Sequence, residues 1–219
     1  MIDFANVKSI FIPEGEVVVI ACGEEVLWQK RKYKTELAYI ESTGTQYIDT
    51  GLRLNQNSKL ELEMSHFDAS IQRMVFGSRS SATKNNFSVV FGPVGGIMSI
   101  VTDFDDYRNN RLAYAISGGE LFKISISKEK LKINDLEQAV STYQAFTTPG
   151  TAYLFNGNGT YPAGYLPAVM RLYYCKVYNS NKLARDFIPV LDWDDVPCMY
   201  DRVTDTLFYN QGTGEFLYE

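Results

Sequence analysis

Hydrophobic and polar residues alternate along several short stretches of the chain. Residues 59–64 (KLELEM) alternate strictly, and so do residues 122–127 (FKISIS). A period of two residues is typical of a β-strand with one face on a core and the other on solvent. We therefore predict a half-buried strand at each of these two places.

Other short apolar segments also predict strands, and clusters of Gly, Asn and Pro such as residues 92–96 and 156–159 separate them. No segment keeps a helical period for three turns. A dozen or so strands over residues 35–219 favour a two-sheet antiparallel sandwich. The further predicted strands are residues 74–77, 87–91, 97–101, 131–133, 151–155 and 168–178.

The beginning of the chain has a pattern of its own. Residues 7–12, 16–21 and 26–28 read as three short strands, which predicts a small β unit that buries little by itself. The basic residues 30–34 (KRKYK) are interpreted as a charged connector. We therefore divide the chain into residues 1–34, an amino-terminal β arm or docking unit with a basic linker, and residues 35–219, the main domain.

Composition narrows the classes of partner. The 219 residues are 45% hydrophobic and 21% charged, which is ordinary for a globular protein. The net charge of −5 opposes nucleic-acid binding, which needs clustered Lys and Arg. The longest apolar stretches, such as residues 17–22, are far shorter than the roughly 20 residues that cross a bilayer. We expect neither nucleic-acid binding nor membrane insertion.

Three cysteines, Cys22, Cys175 and Cys198, share no metal-ligand spacing. An odd number also argues against a disulfide framework, so we predict buried free thiols. The amino terminus shows no secretory signal pattern, and synthesis in the cytoplasm is expected.

Two parts of the sequence resemble a known family. Residues 37–51 (LAYIESTGTQYIDTG) resemble the opening of concanavalin A-like, laminin-G-like jelly-roll domains of gut-bacterial phage and prophage virion proteins. Residues 171–178 (RLYYCKVY), 183–190 (LARDFIPV) and 199–214 follow that family's ending in order. The resemblance covers roughly residue 35 to the carboxyl terminus. It implies an all-β, two-sheet antiparallel jelly-roll sandwich in a virion protein.

The closing blocks also have a physical interpretation of their own. Both alternate sets of residues 171–178 look apolar, which predicts a central strand covered on both faces. Asp201 lies where a strand turns. We interpret Arg185, Asp186 and Asp201 as a structural ion-pair and turn network that joins the two sheets.

Catalytic chemistry finds little support. His66 is the only histidine, so no histidine metal cluster can form, and a Ser-His-Asp arrangement would need this one residue. The family that the chain resembles includes glucanases, and Glu61 and Glu63 share one strand face at roughly the spacing that paired carboxylates need. The glucanase pattern of Glu, Asp and Glu is missing. We predict no catalytic residue and keep a glycoside hydrolase as the less favoured alternative.

Two acidic loops raise the question of calcium, which many lectin-like jelly rolls hold on carboxylates. Neither loop has an EF-hand spacing, and a solvated acidic rim is the favoured interpretation. We predict no cofactor and no metal ligand, with calcium left open. The loops contain Asp103, Asp105 and Asp106, and Asp192, Asp194 and Asp195.

Binding remains as the predicted activity. Sugar-binding jelly rolls present aromatic rings beside amide or carboxylate groups, because rings pack on the CH face of a sugar while its hydroxyls need polar partners. The candidate ligand-binding residues are Trp193, Tyr161, Tyr165, Asn156, Asn158 and Asp194.

The combined prediction is a non-catalytic phage virion surface protein, either a capsid decoration or a head- or tail-fibre-type adhesin. Its jelly roll would bind bacterial or mucosal glycans or other cell-surface partners, and residues 1–34 would attach it to other virion proteins. We expect a homo-oligomer or many copies per particle. A purely structural virion subunit without sugar binding is the alternative.

Overall fold

A computed structural model describes residues 9–11, 19–22, 25–29, 31–66, 72–81, 84–106, 108–116, 119–159 and 166–219. Within these ranges every regular element is a β-strand. The described part of the chain accordingly contains no helix of the length and apolar character that a bilayer crossing requires.

The predicted amino-terminal strands are confirmed. They are β1 (Ser9–Phe11), β2 (Val19–Cys22) and β3 (Glu25–Gln29), which form an antiparallel sheet in the order β1-β2-β3. The division of the chain after residue 34 stays a prediction.

The first sheet of the main region has eight strands among the described residues. The order is β11-β10-β9-β8-β15-β6, and β16 and β17 pair in parallel with β8. These strands are β6 (Ile48–Asp49), β8 (Arg73–Arg79), β9 (Asn86–Val94), β10 (Ile97–Asp105), β11 (Arg111–Ala115), β15 (Tyr153–Leu154), β16 (Asn158–Gly159) and β17 (Leu166–Pro167).

The second sheet has eleven strands among the described residues. Its main order is β14-β13-β12-β7-β18-β19-β20-β21, with β4 beside β19, and β5 between β18 and β22. The strands are β4 (Thr35–Glu36), β5 (Ile40–Thr43), β7 (Ser58–His66), β12 (Leu121–Ile126), β13 (Lys130–Ile133), β14 (Leu136–Ala139), β18 (Val169–Asn179), β19 (Lys182–Leu191), β20 (Pro197–Asp201), β21 (Thr206–Phe208) and β22 (Leu217–Tyr218).

The core lies between these two sheets. The alternation predicted for β7 and β12 is confirmed, because every second residue of both strands is buried. Aliphatic side chains and large aromatic side chains from both sheets fill the interior together. The largest aromatic ones are Phe76, Phe87, Phe91 and Phe104 of the eight-stranded sheet and Phe122 and Phe187 of the eleven-stranded sheet.

Strand β18 is central, as predicted, but it is not covered on both faces. Its inward side chains, Leu172, Cys175 and Val177, are buried. A β-bulge between Leu172 and Tyr174 shifts the alternation, and the other face is only half buried. That face carries Tyr173, Tyr174, Lys176 and Tyr178, whose polar ends reach water while their apolar bodies lie on the sheet.

The two sequence blocks that carry the family resemblance lie together in the fold. Strand β5 of the opening block pairs with β18, which contains the closing block 171–178, and on its other side with β22 near residue 219. The buried Gln46 donates from Nε2 to the carbonyl oxygen of Glu215 at 2.9 Å. The Tyr39 hydroxyl donates to the Glu219 carboxylate at 2.9 Å. The opening and closing segments therefore form one structural unit.

The predicted network around Arg185, Asp186 and Asp201 is confirmed. The buried Asp201 carboxylate lies 3.6 Å from Arg185 Nε and accepts the backbone N–H of Asp186 at 2.8 Å. Arg185 also donates to the carbonyl oxygen of Thr50, which follows β6 in the other sheet, at 3.1 Å. This contact joins the two sheets.

Two of the predicted buried thiols are confirmed, since Cys175 and Cys198 are free and buried. Burial raises the pKa of the Cys198 thiol to about 12, with the Asp192 carboxylate adding to the effect. Burial likewise raises the pKa of the Cys175 thiol far above its ordinary value. Both are therefore poor nucleophiles at neutral pH. The side chain of Cys22 lies outside the described residues.

Candidate functional site

Trp193 and Asp194 lie on the loop between β19 and β20, which the Asp192 carboxylate organises. Asp192 Oδ1 accepts the backbone N–H groups of Asp194 and Val196, and its Oδ2 accepts the Tyr209 hydroxyl. The Trp193 side chain is 50% exposed, and its indole N–H donates to the carbonyl oxygen of Arg31 at 3.0 Å. The loop thus presents an indole ring to solvent.

Asn156 and Asn158 lie at a different place, after β15 in the eight-stranded sheet. Asn156 Oδ1 accepts the backbone N–H of Gly157 at 2.8 Å, and Asn158 pairs with Ser78 of β8. Tyr161 and Tyr165 lie outside the described residues. The four described candidates are therefore divided between two sheets, and their role in ligand binding stays a prediction.

The acidic loops are engaged in structural contacts. Asp103 forms a two-point ion pair with Arg111, at 2.7 and 3.1 Å, and Asp105 accepts the backbone N–H of Gln144 at 3.0 Å. In the other loop Asp195 pairs with Lys34 at 2.5 Å. The described residues include no group of three or more side chains placed to hold a metal ion.

The outward surface of the eleven-stranded sheet carries a cleft that we call the sheet-face cleft. Its volume is about 580 Å³. Its lining also includes Leu136 of β14, Tyr114 of β11 at the edge of the eight-stranded sheet, and Ile124 of β12, whose side chain is buried in the core. Its polar and aromatic lining comes from β7, β12, β13, β18 and the turn after β13: Glu61, Lys123, Ser125, Lys132, Asn134 and Tyr174.

Strand register places these side chains in rows across the sheet. Ser125 of β12 lies opposite Glu61 of β7 on one side and opposite Lys132 of β13 on the other. In the next row, Glu63 of β7 lies between Lys123 and Tyr174. Directly opposed side chains are about 5 Å apart, so each row forms a continuous band of hydroxyl, carboxylate, ammonium and ring groups.

The charge state of two lining residues follows from their neighbours. Burial disfavours ionisation of Glu61, but Lys59 at 2.6 Å and the Tyr178 hydroxyl at 3.2 Å outweigh burial and hold its pKa below the usual value. Burial raises the pKa of Tyr174, and Glu63 and Glu61 add to that effect. At neutral pH the cleft therefore offers an ionised carboxylate beside a neutral phenol.

This geometry bears on the glycosidase alternative. Glu61 and Glu63 do share one outward face, as the alternation predicted. A general acid needs a raised pKa, however, and the pKa of Glu61 is lowered. Glu63 faces the Lys123 ammonium group at 3.6 Å. The pair suits electrostatic and hydrogen-bonding contacts with a ligand better than proton transfer.

Sequence reasoning did not select the residues of the sheet-face cleft as ligand-binding groups. The strict alternation of β7 and β12 was the available signal, because it turns Glu61, Lys123 and Ser125 to the same side. That β13 and β18 flank these two strands is a fact of tertiary register, which the local pattern does not contain. Tyr174 and Lys132 were therefore missed.

The two packed antiparallel sheets define an all-β jelly-roll-like sandwich, which confirms the predicted fold class. No family model matches the chain, and no curated protein matches it. Among solved structures, the fold matches a candidate carbohydrate-binding protein from Bacteroides ovatus with a TM-score of 0.55 over 84% of this chain. Sequence identity is 11%, and the chain spans 60% of that protein's length. This likeness shows the shared fold.

Proposed function

We propose that the protein is a non-catalytic carbohydrate-binding sandwich whose sheet-face cleft holds a sugar. The observation that carries this proposal is the half-buried Tyr174 ring within the same cleft as a band of hydroxyl, carboxylate, ammonium and amide groups. A volume of about 580 Å³ suits a small glycan segment. The match to a candidate carbohydrate-binding protein from Bacteroides ovatus supports the same class of function.

Each kind of lining group has a part in this binding mode. The Tyr174 ring packs against the CH-rich face of a pyranose, which removes apolar surface of both partners from water. Ser125 hydrogen-bonds to sugar hydroxyls, and the ionised Glu61 accepts hydrogen bonds from them. Asn134 holds the turn at the edge of the cleft, because its amide accepts the backbone N–H of Lys123 at 2.8 Å and donates to the Leu121 carbonyl oxygen at 3.3 Å. Rigid strands hold the three side chains that contact the sugar, so little ordering accompanies binding.

Glycan binding is tested on an array with the wild-type chain and three alanine variants. Tyr174→Ala removes the ring and is expected to weaken binding by about tenfold or more, equivalent to about 1.4 kcal/mol. Tyr218→Ala is the matched control, since Tyr218 is an exposed tyrosine of β22 outside the cleft. Trp193→Ala examines the loop site. Loss of binding in Trp193→Ala, with Tyr174→Ala unaffected, would contradict the sheet-face cleft.

We also propose that the protein belongs to a phage virion, as a capsid decoration or a head- or tail-fibre-type adhesin. The resemblance of residues 37–51 and of the closing blocks to virion jelly rolls supports this proposal. The amino-terminal β sheet would attach the protein to neighbouring virion proteins by strand addition. Many copies on one particle would convert weak single contacts into strong adhesion.

Particle association tests this second proposal. Deletion of residues 1–34 is expected to reduce the number of copies on purified particles, whereas Tyr174→Ala is expected to leave it unchanged. Undiminished incorporation of the deleted chain would contradict attachment through residues 1–34. Normal incorporation of a wild-type chain that binds no glycan would favour the purely structural alternative.

A further inference from the structure

We infer that the glycan held by the sheet-face cleft is acidic, and that Lys132 binds a carboxylate of the sugar. This inference rests on the proposed function and names the class of glycan. It concerns uronic and sialic acid units, which carry a carboxylate at neutral pH.

The pairing of charges on the outward face of the sheet leaves Lys132 without a short ion pair of its own. Each of the three outward glutamates of β7 and β14 already has a lysine partner. Lys132 lies on the strand between these pairs, directly opposite Glu137, and its charge helps to lower the pKa of that carboxylate. The Glu137 carboxylate is bonded to Lys130 instead, and the described residues give the Lys132 side chain no ion pair within 4 Å and no hydrogen bond. The three pairs are Lys59 with Glu61 at 2.6 Å, Lys123 with Glu63 at 3.6 Å, and Lys130 with Glu137 at 2.9 Å.

The same face carries more positive than negative charge, although the protein as a whole has a net charge of −5. Two outward lysines, Lys132 and Lys176, remain after the three pairs are counted. The exposed Asp135 of the turn after β13 offsets one of them. Of the two, only Lys132 lines the cleft. Within the cleft the charged lining is balanced, with Lys123 and Lys132 against Glu61 and Asp135. Because Lys123 is held by Glu63 and Glu61 by Lys59, Lys132 is the lining lysine that a ligand anion can engage.

The surroundings of Lys132 strengthen its contact with a ligand carboxylate. Its side chain is half buried, so the methylene stem is held against the sheet. A ligand carboxylate would form a charge-assisted hydrogen bond with the ammonium group. Water and salt screen this contact less than they screen a fully exposed ion pair.

The spacing of the groups fits a single sugar unit. Ser125 is the direct cross-strand neighbour of Lys132, and the two side chains begin about 5 Å apart. One acidic pyranose can therefore place a hydroxyl at Ser125 and its carboxylate at Lys132. Tyr174, on the other side of the same cleft, remains for the CH face of that ring or of the next one.

The test uses an array of uronate- and sialate-containing oligosaccharides, each printed beside its carboxyl-reduced neutral counterpart. The wild-type chain is expected to bind at least one acidic member about tenfold more tightly than its neutral partner. Lys132→Gln is expected to abolish this preference while weaker binding of both members remains. The wild-type preference should also decline as salt is added.

Lys128→Gln is the matched control, because Lys128 is an exposed lysine on the turn between β12 and β13. It removes the same charge and is expected to keep the acidic preference. Equal binding of acidic and neutral members, or a preference that survives in Lys132→Gln, overturns this inference and leaves the proposed function standing. Absence of binding to both members of every pair overturns both.

Discussion

The Asp201 carboxylate is completely buried, and its surroundings explain how a charge persists there. Its Oδ1 accepts the backbone N–H groups of Asp186 and Val203, and its Oδ2 accepts the Thr204 hydroxyl at 2.6 Å. The Arg185 guanidinium supplies the opposite charge at 3.6 Å. A buried carboxylate with this many partners avoids the cost of an unpaired charge. The position of Asp201 at the end of a strand made its structural role predictable from sequence.

Asp201→Asn keeps the size of the side chain and removes its charge. We expect it to lower the free energy of unfolding by about 1.5–3 kcal/mol, the range for a hydrogen bond to a charged group. Urea unfolding followed by circular dichroism measures the difference. Asp194→Asn, at an exposed position, serves as the control and should change stability by less than about 0.5 kcal/mol. Equal stability of the two variants would show that the network contributes little.

At the scale of elements, β8 and β9 approach each other unusually closely. A β-bulge interrupts their register between Met74 and Phe76. Just beyond it Gly77 has a φ of +125°, and a Cβ added there would lie 2.1 Å from the carbonyl oxygen of Phe87. Backbone fills the space that a side chain would occupy, so this position requires glycine.

Gly77→Ala is therefore expected to be severely destabilising, by about 3 kcal/mol or more, since strain in the backbone adds to overpacking. Gly92→Ala is the matched control on a neighbouring strand of the same sheet. An added Cβ at Gly92 meets only the Gln72 side chain, at 3.6 Å. Thermal unfolding of both variants gives the comparison. A Gly77→Ala protein as stable as Gly92→Ala would contradict the close approach.

The elements differ in how well sequence predicts them. Long strands with an internal alternation, such as β7 and β12, were predicted within a few residues, because burial of one face creates the pattern. Two-residue strands such as β16 and β17 were missed, since only their pairing with β8 defines them. The β-bulge in β18 likewise has no signal in the local sequence. Because it shifts the alternation of side chains, it determines that Tyr174 faces the cleft. The candidate site depends on register, and it was therefore hidden from sequence reasoning.

At the scale of the whole molecule, Gln46 holds the opening segment against the closing one. Its Oε1 accepts the backbone N–H of Thr43 at 2.9 Å and the Ser42 hydroxyl at 3.1 Å. Its Nε2 donates to Glu215 across the junction. The side chain is 2% exposed, so these hydrogen bonds have little competition from water. One amide thus organises a turn and fastens the end of the chain to it.

Gln46→Ala leaves several buried polar groups without partners. We expect a loss of about 1–3 kcal/mol in unfolding free energy and faster amide hydrogen exchange in β5 and β22 than elsewhere. Gln211→Ala, an exposed change in the same closing segment, is the control. Amide hydrogen exchange is measured by mass spectrometry. Equal protection of the β22 amides in the two variants would contradict this role of Gln46.

The pairing of β5 with β22 also has a consequence for biosynthesis. Tyr39 and Glu219, whose side chains meet in the folded protein, are 180 positions apart in the chain. Strand β5 can pair with β22 only after almost all of the residues between them have left the ribosome. Contacts between such distant positions slow the search for the native state. We therefore expect completion of the sandwich to be a late step of folding, with one edge of β5 unprotected until then.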